Sequence, residues 1–494
     1  MEFTVLLLLT SGLFLGWSLG AADSANVFGT AVGTGMVRFV TAASVCSIFV
    51  ILGAVISGAG AAGTLGRLGG VNALPGAFIV ALSAAFTVYS MAKLSLPVSS
   101  TQAIVGAILG WNFFSGSATD TQTLTTIVIT WLFCPIAAGV FGSLIYLLVR
   151  AWVNSFKIHV LSLDFYTRAG LILAGAFGSY SLGANNIGNV MGVFIEVSPF
   201  TNIEFSNGLH FSSVQQLFGL GALAIALGVF TYSKRVMLTV GSGLMPMSPI
   251  AAWVVVVAHS LVLFLFASEA LEAWLAGQGL PTIPLVPVSS SQAIVGAVVG
   301  LGLVRGGREV EWRLVSNIAL GWVTTPLASA LLCFIGLYVF QNVFDQQVHR
   351  LVEYRIDAPV LKRMQAEHGF NTDLARLEDQ KFYSARELMG ALDRDSFISD
   401  KAEFQLLELA ESGPYVVDSD HLFGVERMIL DPERLAALAA IEGQRFVHKW
   451  QLAMALEQQV PQWRPHRDGI ASKQYNRELQ RELNFLYRRL RLPR

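Results

Sequence analysis

Apolar residues gather in runs near positions 2–20, 36–57, 72–93, 97–111 and 121–149, and again near 169–190, 208–232, 249–276, 287–304 and 312–340. Most runs reach the roughly 20 residues that an α-helix needs to cross the hydrocarbon core of a bilayer. The runs 97–111 and 287–304 are shorter and open on Pro97 and Pro287, so re-entrant or broken helices are expected there. Past about residue 345 the pattern turns to mixed polar and apolar positions and reads as helical. Asp431-Pro432-Glu433 has the cap, proline and acid of a helix start, with a long helix expected to about Gln459. A basic stretch from Arg477 to Arg494 carries Leu483, Phe485, Leu486 and Leu490 at helical spacing.

The two sets of runs match in order. Eleven residues, Pro97 to Ala107, return as Pro287 to Ala297 with Thr101 replaced by Ser291 as the single change. Gly20 to Asn26 aligns with Gly183 to Asn189, and Trp131 with Pro135 aligns with Trp322 and Pro326. Three ordered matches mark an internal duplication. About five crossings per half is an odd number, so the halves would be inverted relative to each other. The expected fold is therefore an all-α polytopic membrane protein of two inverted repeats with broken or re-entrant helices, followed by a helical soluble domain. The expected segments are 1–150 and 169–344 for the repeats, 151–168 for a cytoplasmic linker, and 345–494 for the C-terminal domain.

Composition agrees with this division. The 494 residues are 53% hydrophobic and 14% charged, and 46 of the 67 Asp, Glu, Lys and Arg side chains follow residue 340. If every run crosses, Arg38, Lys93, Arg150, Lys157, Arg168, Lys234, Arg235, Arg305, Arg308 and Arg313 share one side, with Arg67 opposite. The other loops hold Asp120, Glu196, Glu204, Glu269 and Glu272. The positive-inside rule then makes the linker cytoplasmic and puts both termini outside; re-entrant short runs would break that parity and leave the tail's side open. The net charge of −1 argues against a nucleic-acid partner. Cys46, Cys134 and Cys333 all lie in apolar runs and are read as packing, not disulfides or zinc ligands. The first run carries Glu2 and no Lys or Arg, unlike a signal peptide, and is read as a retained helix. The tail is read as a packed appendage, with a regulatory or partner-binding role as the alternative.

The polar residues inside the apolar runs are the candidates for chemistry. Asp23 is a carboxylate at membrane depth, where an ionisable group marks an ion or substrate path. Its neighbours Gly20, Gly29, Gly33 and Gly35 would let the backbone unwind or approach a ligand. Asn26, Asn185, Asn186 and Asn189 offer amide donors and carbonyl acceptors for an oxyanion or a cation. Ser99, Ser100, Thr101 and Gln102, with Ser289, Ser290, Ser291 and Gln292, stand where two helices begin, and free N–H groups there favour an anion. No Lys or Arg stands beside either cluster, so the expected cage is neutral and can release its ion. Gly58 to Gly63 lacks the Lys of a phosphate loop and is read as helix packing or a flexible loop. His159 and His259 are isolated and read as packing. No catalytic constellation appears, and the protein is not read as an enzyme.

These residues resemble the inorganic phosphate transporter (PiT) family, a group of phosphate and sulfate permeases. That family carries Gly-Ala-Asn-Asp-x-x-Asn near the start of each half and Pro-Val-Ser-[Ser/Thr]-Thr-His further on. The resemblance covers about 1–340, including Thr231 to Pro249, and omits the tail. It implies a multi-pass plasma-membrane protein (inner membrane if bacterial), homodimeric, without a cofactor, moving inorganic phosphate with Na+ or H+. It assigns substrate to Ser99, Ser100, Thr101, Gln102, Ser289, Ser290, Ser291, Gln292 and Asn186. It assigns the coupling cation to Asp23, Asn26, Asn185 and Asn189, with Na+ at Asp23, Asn26 and Asn189. Departures from the pattern include Ala22 for Asn, Asn186 for Asp, and Gln102 and Gln292 for His. One carboxylate of two is gone, which leaves sulfate open as a substrate. Phosphate is favoured because its hydroxyl can donate to Asp23, whereas sulfate has no proton to give. A passive anion channel and a membrane-bound anion sensor are the other readings.

Overall fold

A computed structural model describes residues 3–93, 98–156, 159–200, 203–204, 210–243, 245–368, 372–392, 400–418, 432–466 and 470–491. Pro97, Lys157, Asp431 and the last three residues of the basic stretch, 492–494, lie outside the described residues. The first half contains α1 (Phe3–Gly33), α2 (Phe39–Ser57), α3 (Ala59–Leu68), α4 (Leu74–Lys93), α5 (Ser100–Ser115) and α6 (Thr121–Ser155). The second contains α7 (Val160–Met191), a two-strand hairpin of β1 (Ile203–Glu204) and β2 (His210–Phe211), α8 (Ser213–Thr231), α9 (Ser233–Gly243), α10 (Pro249–Ala267), α11 (Glu269–Gly277), α12 (Ser290–Val304) and α13 (Trp312–Asn342). Among the described residues, seven helices are long and apolar enough to cross a membrane: α1, α2, α4, α6, α8, α10 and α13. The outward faces of α6 and α13 expose Leu132, Phe133, Ile136, Leu327, Leu331 and Ile335, a belt that water would not tolerate and lipid does.

The two short helices are the expected ones. At 16 and 15 residues, α5 and α12 rise only about 22–24 Å. Each is preceded by extended backbone, and their caps are near copies: Ser99 at φ −91, ψ 116 and Ser289 at φ −82, ψ 113. One expectation is corrected. The helix does not unwind at the first motif, because α1 continues unbroken through Gly20 to Gly33, as α7 does through Gly183 to Met191. Here the glycine brings a neighbouring backbone close. A Cβ on Gly20 would overlap the carbonyl of Ile225 in α8, and one on Gly183 would overlap that of Val50 in α2.

Such approaches recur as reciprocal pairs. Gly53 of α2 lies on the carbonyl of Tyr180 in α7, and Gly228 of α8 lies on that of Trp17 in α1. Gly106 of α5 meets the Pro326 carbonyl in α13, and Gly296 of α12 meets the Pro135 carbonyl in α6. In each case a glycine of one half fits against a carbonyl of the other, and the same contact repeats with the halves exchanged. Lipid gives apolar helices no hydrophobic reason to associate, so small residues that permit backbone contact supply the packing.

The tail contains more than helix. Strands β3 (Glu353–Arg355), β4 (Lys381–Phe382), β5 (Glu411–Val416) and β6 (Arg445–His448) form an antiparallel sheet in the order β4-β3-β5-β6. Helices α14 (Ala358–His368), α15 (Thr372–Ala375), α16 (Ala385–Ala391), α17 (Asp400–Ala410), α18 (Pro432–Ala440), α19 (Lys449–Gln459) and α20 (Ile470–Arg489) surround it. The single helix expected up to Gln459 is in fact α18, β6 and α19. Gly443 at φ +77 turns the chain, and Arg445 to His448 then pairs with β5. Leu483, Leu486 and Leu490 of the basic stretch are buried with Tyr415 and Trp463 in a core of their own.

The tail docks at one end of the bundle. Asn72 donates to the Arg350 carbonyl (3.0 Å) and accepts from its N–H (2.8 Å). Arg386 donates from its guanidinium to the Phe113 carbonyl (2.8 Å) and from its N–H to that of Gly116 (3.2 Å). Helix α20 packs on α11. At the other end of α4, Lys93 lies over the Tyr89 ring, and Trp17 contacts both Tyr89 and Tyr232.

The interlock can be tested directly. Gly106→Val and Gly296→Val should each destabilise the protein by about 1–3 kcal/mol through overpacking. Gly63→Ala, where a Cβ meets open space, should be neutral or slightly stabilising. Melting in detergent measures both, and a Gly296→Val protein as stable as the parent would show that the close approach to Pro135 does not hold the helices together.

Candidate functional site

The polar groups that the sequence singles out come together. Asp23, Asn26, Asn185, Asn186, Asn189 and both four-residue clusters are each at most 5% exposed. Helix α1 supplies Asp23 and Asn26 one turn apart. Helix α7 supplies the three asparagines, and α5 and α12 bring the clusters by their N-termini. Ser99 and Ser289 act as caps, accepting from the N–H of Gln102 and Gln292 at 3.2 Å each. The N–H groups of Ser100, Thr101, Ser290 and Ser291 have no helical carbonyl four residues back, so they remain available at the positive ends of their helix dipoles.

A hydrogen-bond network crosses between the halves. Asp23 Oδ2 accepts from Asn186 Nδ2 (2.9 Å) and Ser100 Oγ (3.3 Å), and Oδ1 accepts from Asn26 Nδ2 (3.4 Å). Asn26 Nδ2 also donates to Ser290 Oγ at 2.9 Å. Asn189 Nδ2 donates to Thr101 Oγ1 at 2.8 Å. A motif residue of each half thus binds the serine cluster of the other. Asn185 pairs with the backbone of Val288, donating to its carbonyl at 2.7 Å and accepting from its N–H at 2.9 Å, which fixes the extended approach to α12. Cys134 donates to the Ser289 carbonyl at 3.7 Å.

Asn186 explains how a single carboxylate fits. Its Nδ2 faces Asp23, and its Oδ1 accepts from Asn185 (2.7 Å) and Asn189 (3.4 Å). A carboxylate at 186 would face Asp23 across the same distance and repel it. The amide turns that repulsion into a hydrogen bond. Three buried carbonyl oxygens, Gln102 Oε1, Gln292 Oε1 and Asn189 Oδ1, have no donor among the described residues. Carbonyl oxygens without donors suit a cation or the hydroxyl of a protonated oxyanion.

One residue was missed. His259 of α10, read as packing, is fully buried, and its Nε2 lies 3.0 Å from Ser290 Oγ. The available signal was its place in the run 249–276, whose other titratable groups, Glu269 and Glu272, lie near the run's end. Gly58, by contrast, is close packing as expected, since a Cβ there would overlap Ile187 and the Ala54 carbonyl.

A family model described as the phosphate transporter family matches residues 19–166 and, a second time, 162–333. The chain belongs to the phosphate transporter family. It is thus a multi-pass membrane protein of a transporter family and not an enzyme, and its tail lies beyond the matched residues. A predicted phosphate permease of Methanocaldococcus jannaschii is 27% identical over 337 residues, covering 68% of this chain and 97% of its own. One from Haemophilus influenzae is 24% identical over 417 residues, covering 68% of this chain and 96% of its own. A solved structure, described as that of a sodium-dependent phosphate transporter, aligns with TM-score 0.55 at 21% identity, covering 69% of this chain and 99% of that one; this likeness concerns the fold.

The family's second carboxylate provides a test. Asn186→Asp should lower the melting temperature in cation-free detergent, and added Na+ should restore it by more than it shifts the parent. An equal sodium response in both proteins would show that a carboxylate at 186 adds nothing to cation binding.

Proposed function

We propose that this protein is a secondary active transporter that carries inorganic phosphate across the plasma membrane with a coupling cation, Na+ or H+. The observation that supports this reading best is the network joining Asp23 to Ser100 and Asn186, Asn26 to Ser290, and Asn189 to Thr101. In this reading, Asp23, Asn26, Asn185 and Asn189 hold the coupling cation, Na+ at Asp23, Asn26 and Asn189. The hydroxyls of both clusters, Gln102, Gln292 and Asn186 replace the water around the anion. Sodium as the coupling ion draws on the sodium dependence ascribed to the structural neighbour. Residues 1–150 and 169–344 act as inverted repeats, 151–168 as a cytoplasmic connection and 345–494 as a soluble domain. The homodimer comes from the family resemblance.

Direct bonding between the halves favours a carrier over a passive channel. The groups assigned to the ion bond one another across the two halves, and these bonds must part for an ion to pass. Rocking of one half against the other would expose them alternately. Phosphate is favoured over sulfate by Asp23, which accepts a phosphate hydroxyl and repels an anion that has none.

The tail would lie outside the cell. It docks beside Asn72, Gly116 and α11, the end that also carries Asp120, Glu269 and Glu272, while Lys93 lies at the far end of α4.

Three measurements address this reading. Labelled phosphate should accumulate in proteoliposomes under a cation gradient, and excess sulfate should compete poorly; full competition with no accumulation rejects phosphate. Asp23→Asn should cut uptake roughly tenfold or more, the factor given by about 1.4 kcal/mol of lost coordination; unchanged uptake would exclude Asp23. A cysteine at exposed Met454 should react with an impermeant maleimide in intact cells, and one at Arg308 should not. The three native cysteines are buried and give little background.

A further inference from the structure

We infer that His259 is a positioning residue for anion binding: it sets the direction of the Ser290 hydroxyl, and with it the number of donors the second cluster offers the oxyanion. The inference rests on the transport reading above only for the identity of the anion.

Helix α10 is otherwise an apolar element, with Val254, Val255, Val256, Ala258, Val262 and Leu263 all buried. Within it His259 is completely buried, and its Nδ1 has no partner among the described residues. A buried polar atom left unpaired costs about 1–3 kcal/mol. A leucine or valine would fill the site without that cost, so packing alone does not account for an imidazole. Its described polar contact is with Ser290, a member of the oxyanion cluster on another helix.

Ser290 Oγ has one proton and two lone pairs. The Asn26 amide can only donate through Nδ2, so it occupies one lone pair. The remaining lone pair and the proton are divided by the state of His259. When Nε2 is bare, Ser290 gives its proton to the imidazole and offers the anion nothing. When Nε2 carries a proton, in the neutral Nε2–H tautomer or in the imidazolium, the ring donates, both lone pairs are filled, and the Ser290 O–H is released toward the anion. The imidazolium also adds a positive charge beside the anion. Anion binding therefore favours a proton on Nε2, and through that charge anion binding and proton uptake at His259 favour each other. The first half lacks this arrangement, because Ser100, the counterpart of Ser290, donates to Asp23.

The titratable groups on the elements packed against α10 are limited. Helix α1 brings Asp23, which reaches Ser290 only through Asn26. Helix α6 brings Cys134, bonded to the Ser289 carbonyl, together with Tyr146 and Arg150 toward its C-terminal end. Helix α7 brings Tyr180, bonded to Ser57, with Asp164 and Arg168 paired near its start and Tyr166 against Phe165 between them. Helix α3 brings Arg67, which donates to Thr64, and α12 has no titratable side chain. Asp23 is the one other group in the network whose protonation would favour an anion, so the variants must separate it from His259.

The test is the affinity for an oxyanion, read from the anion-induced rise in melting temperature of the full-length protein in detergent between about pH 4.5 and 8, a window that extends well below the ordinary histidine range. Sulfate and phosphate are used separately. Sulfate does not titrate in this range, so its profile belongs to the protein alone; for phosphate, the ratio of variant to parent cancels the ligand's own titration. The parent should bind about threefold or more tightly at the acidic end. His259→Gln keeps a hydrogen-bonding side chain but cannot titrate, and it should lose that gain while Asp23 remains. Ser290→Ala leaves the histidine without a hydroxyl to turn and should reduce the gain to the part carried by the imidazolium charge, which keeps the inference open to refutation if the first variant fails to fold. A flat parent profile for both anions, or a variant profile parallel to the parent's, overturns the assignment. Phosphate that fails to accumulate in vesicles, alongside a histidine-dependent sulfate profile, would instead overturn phosphate as the substrate and leave His259 in place.

Discussion

A carboxylate in the middle of lipid needs hydrogen-bond donors, and most of this membrane fold can be read as the means of supplying them. Asp23 stands on a helix that cannot satisfy it, because the backbone of α1 is committed to its own ladder. Its donors come from α1 itself, α5 and α7. Water is scarce at this depth, so each donor must be brought by another segment of the chain. The same need governs Ser290 and Thr101, whose amide partners come from the opposite half, and Val288, whose carbonyl accepts from Thr101 of the first half as well as from Asn185. The halves are thus joined at the centre by polar groups, each of which would be costly to leave alone.

Glycine makes this meeting possible. The polar groups of four helices reach one another at 2.7–3.4 Å because the backbones come close first. Gly20 and Gly183 stand three residues before Asp23 and Asn186 in the same motif, each pressed on a carbonyl of a neighbouring helix. Motif glycine and motif polar residue serve one end: the first sets the distance and the second makes the bond. Prolines 135 and 326 contribute from α6 and α13, where their carbonyls receive Gly296 and Gly106 of the helices that carry the clusters.

Much of this was legible in the sequence, for identifiable reasons. Apolar runs of span length map onto helices because a bilayer allows few other solutions, and the repeated eleven residues announced two equivalent helix starts. The convergence of Asp23, the asparagines and the serines followed from their being polar in an apolar setting. Three features were not legible. Whether Gly20 loosens its helix or packs it depends on Ile225, far away in sequence, and no local pattern encodes that contact. The strand Arg445–His448 lies in a region of helical periodicity and forms because β5 is available to pair with it. His259 sits outside both motifs, and its relevance comes entirely from the placement of Ser290 on another helix.

The tail bears on how such a centre could open. It holds the first half through Asn72 and through Phe113 and Gly116 at the C-terminal end of α5, the helix whose other end carries Ser100 and Thr101. It holds the second half through α20 against α11, from which the chain runs on to Ser289 and α12. The tail therefore grips both arms of the central cluster from the same end of the bundle. A rigid connection of that kind resists separation of the arms at that end and leaves the opposite end, near Lys93 and Tyr232, unrestrained by it. If the halves rock, either the α20–α11 contact or the Arg386 contact must give before the path opens on the tail's side. Of the two, the Arg386 contact combines a hydrogen bond to the Phe113 carbonyl, a second from its own backbone, and a cation over the Phe113 ring at 4.8 Å. These ties act together at one point, so the Arg386 junction fixes the C-terminal end of the helix whose other end carries Ser100 and Thr101.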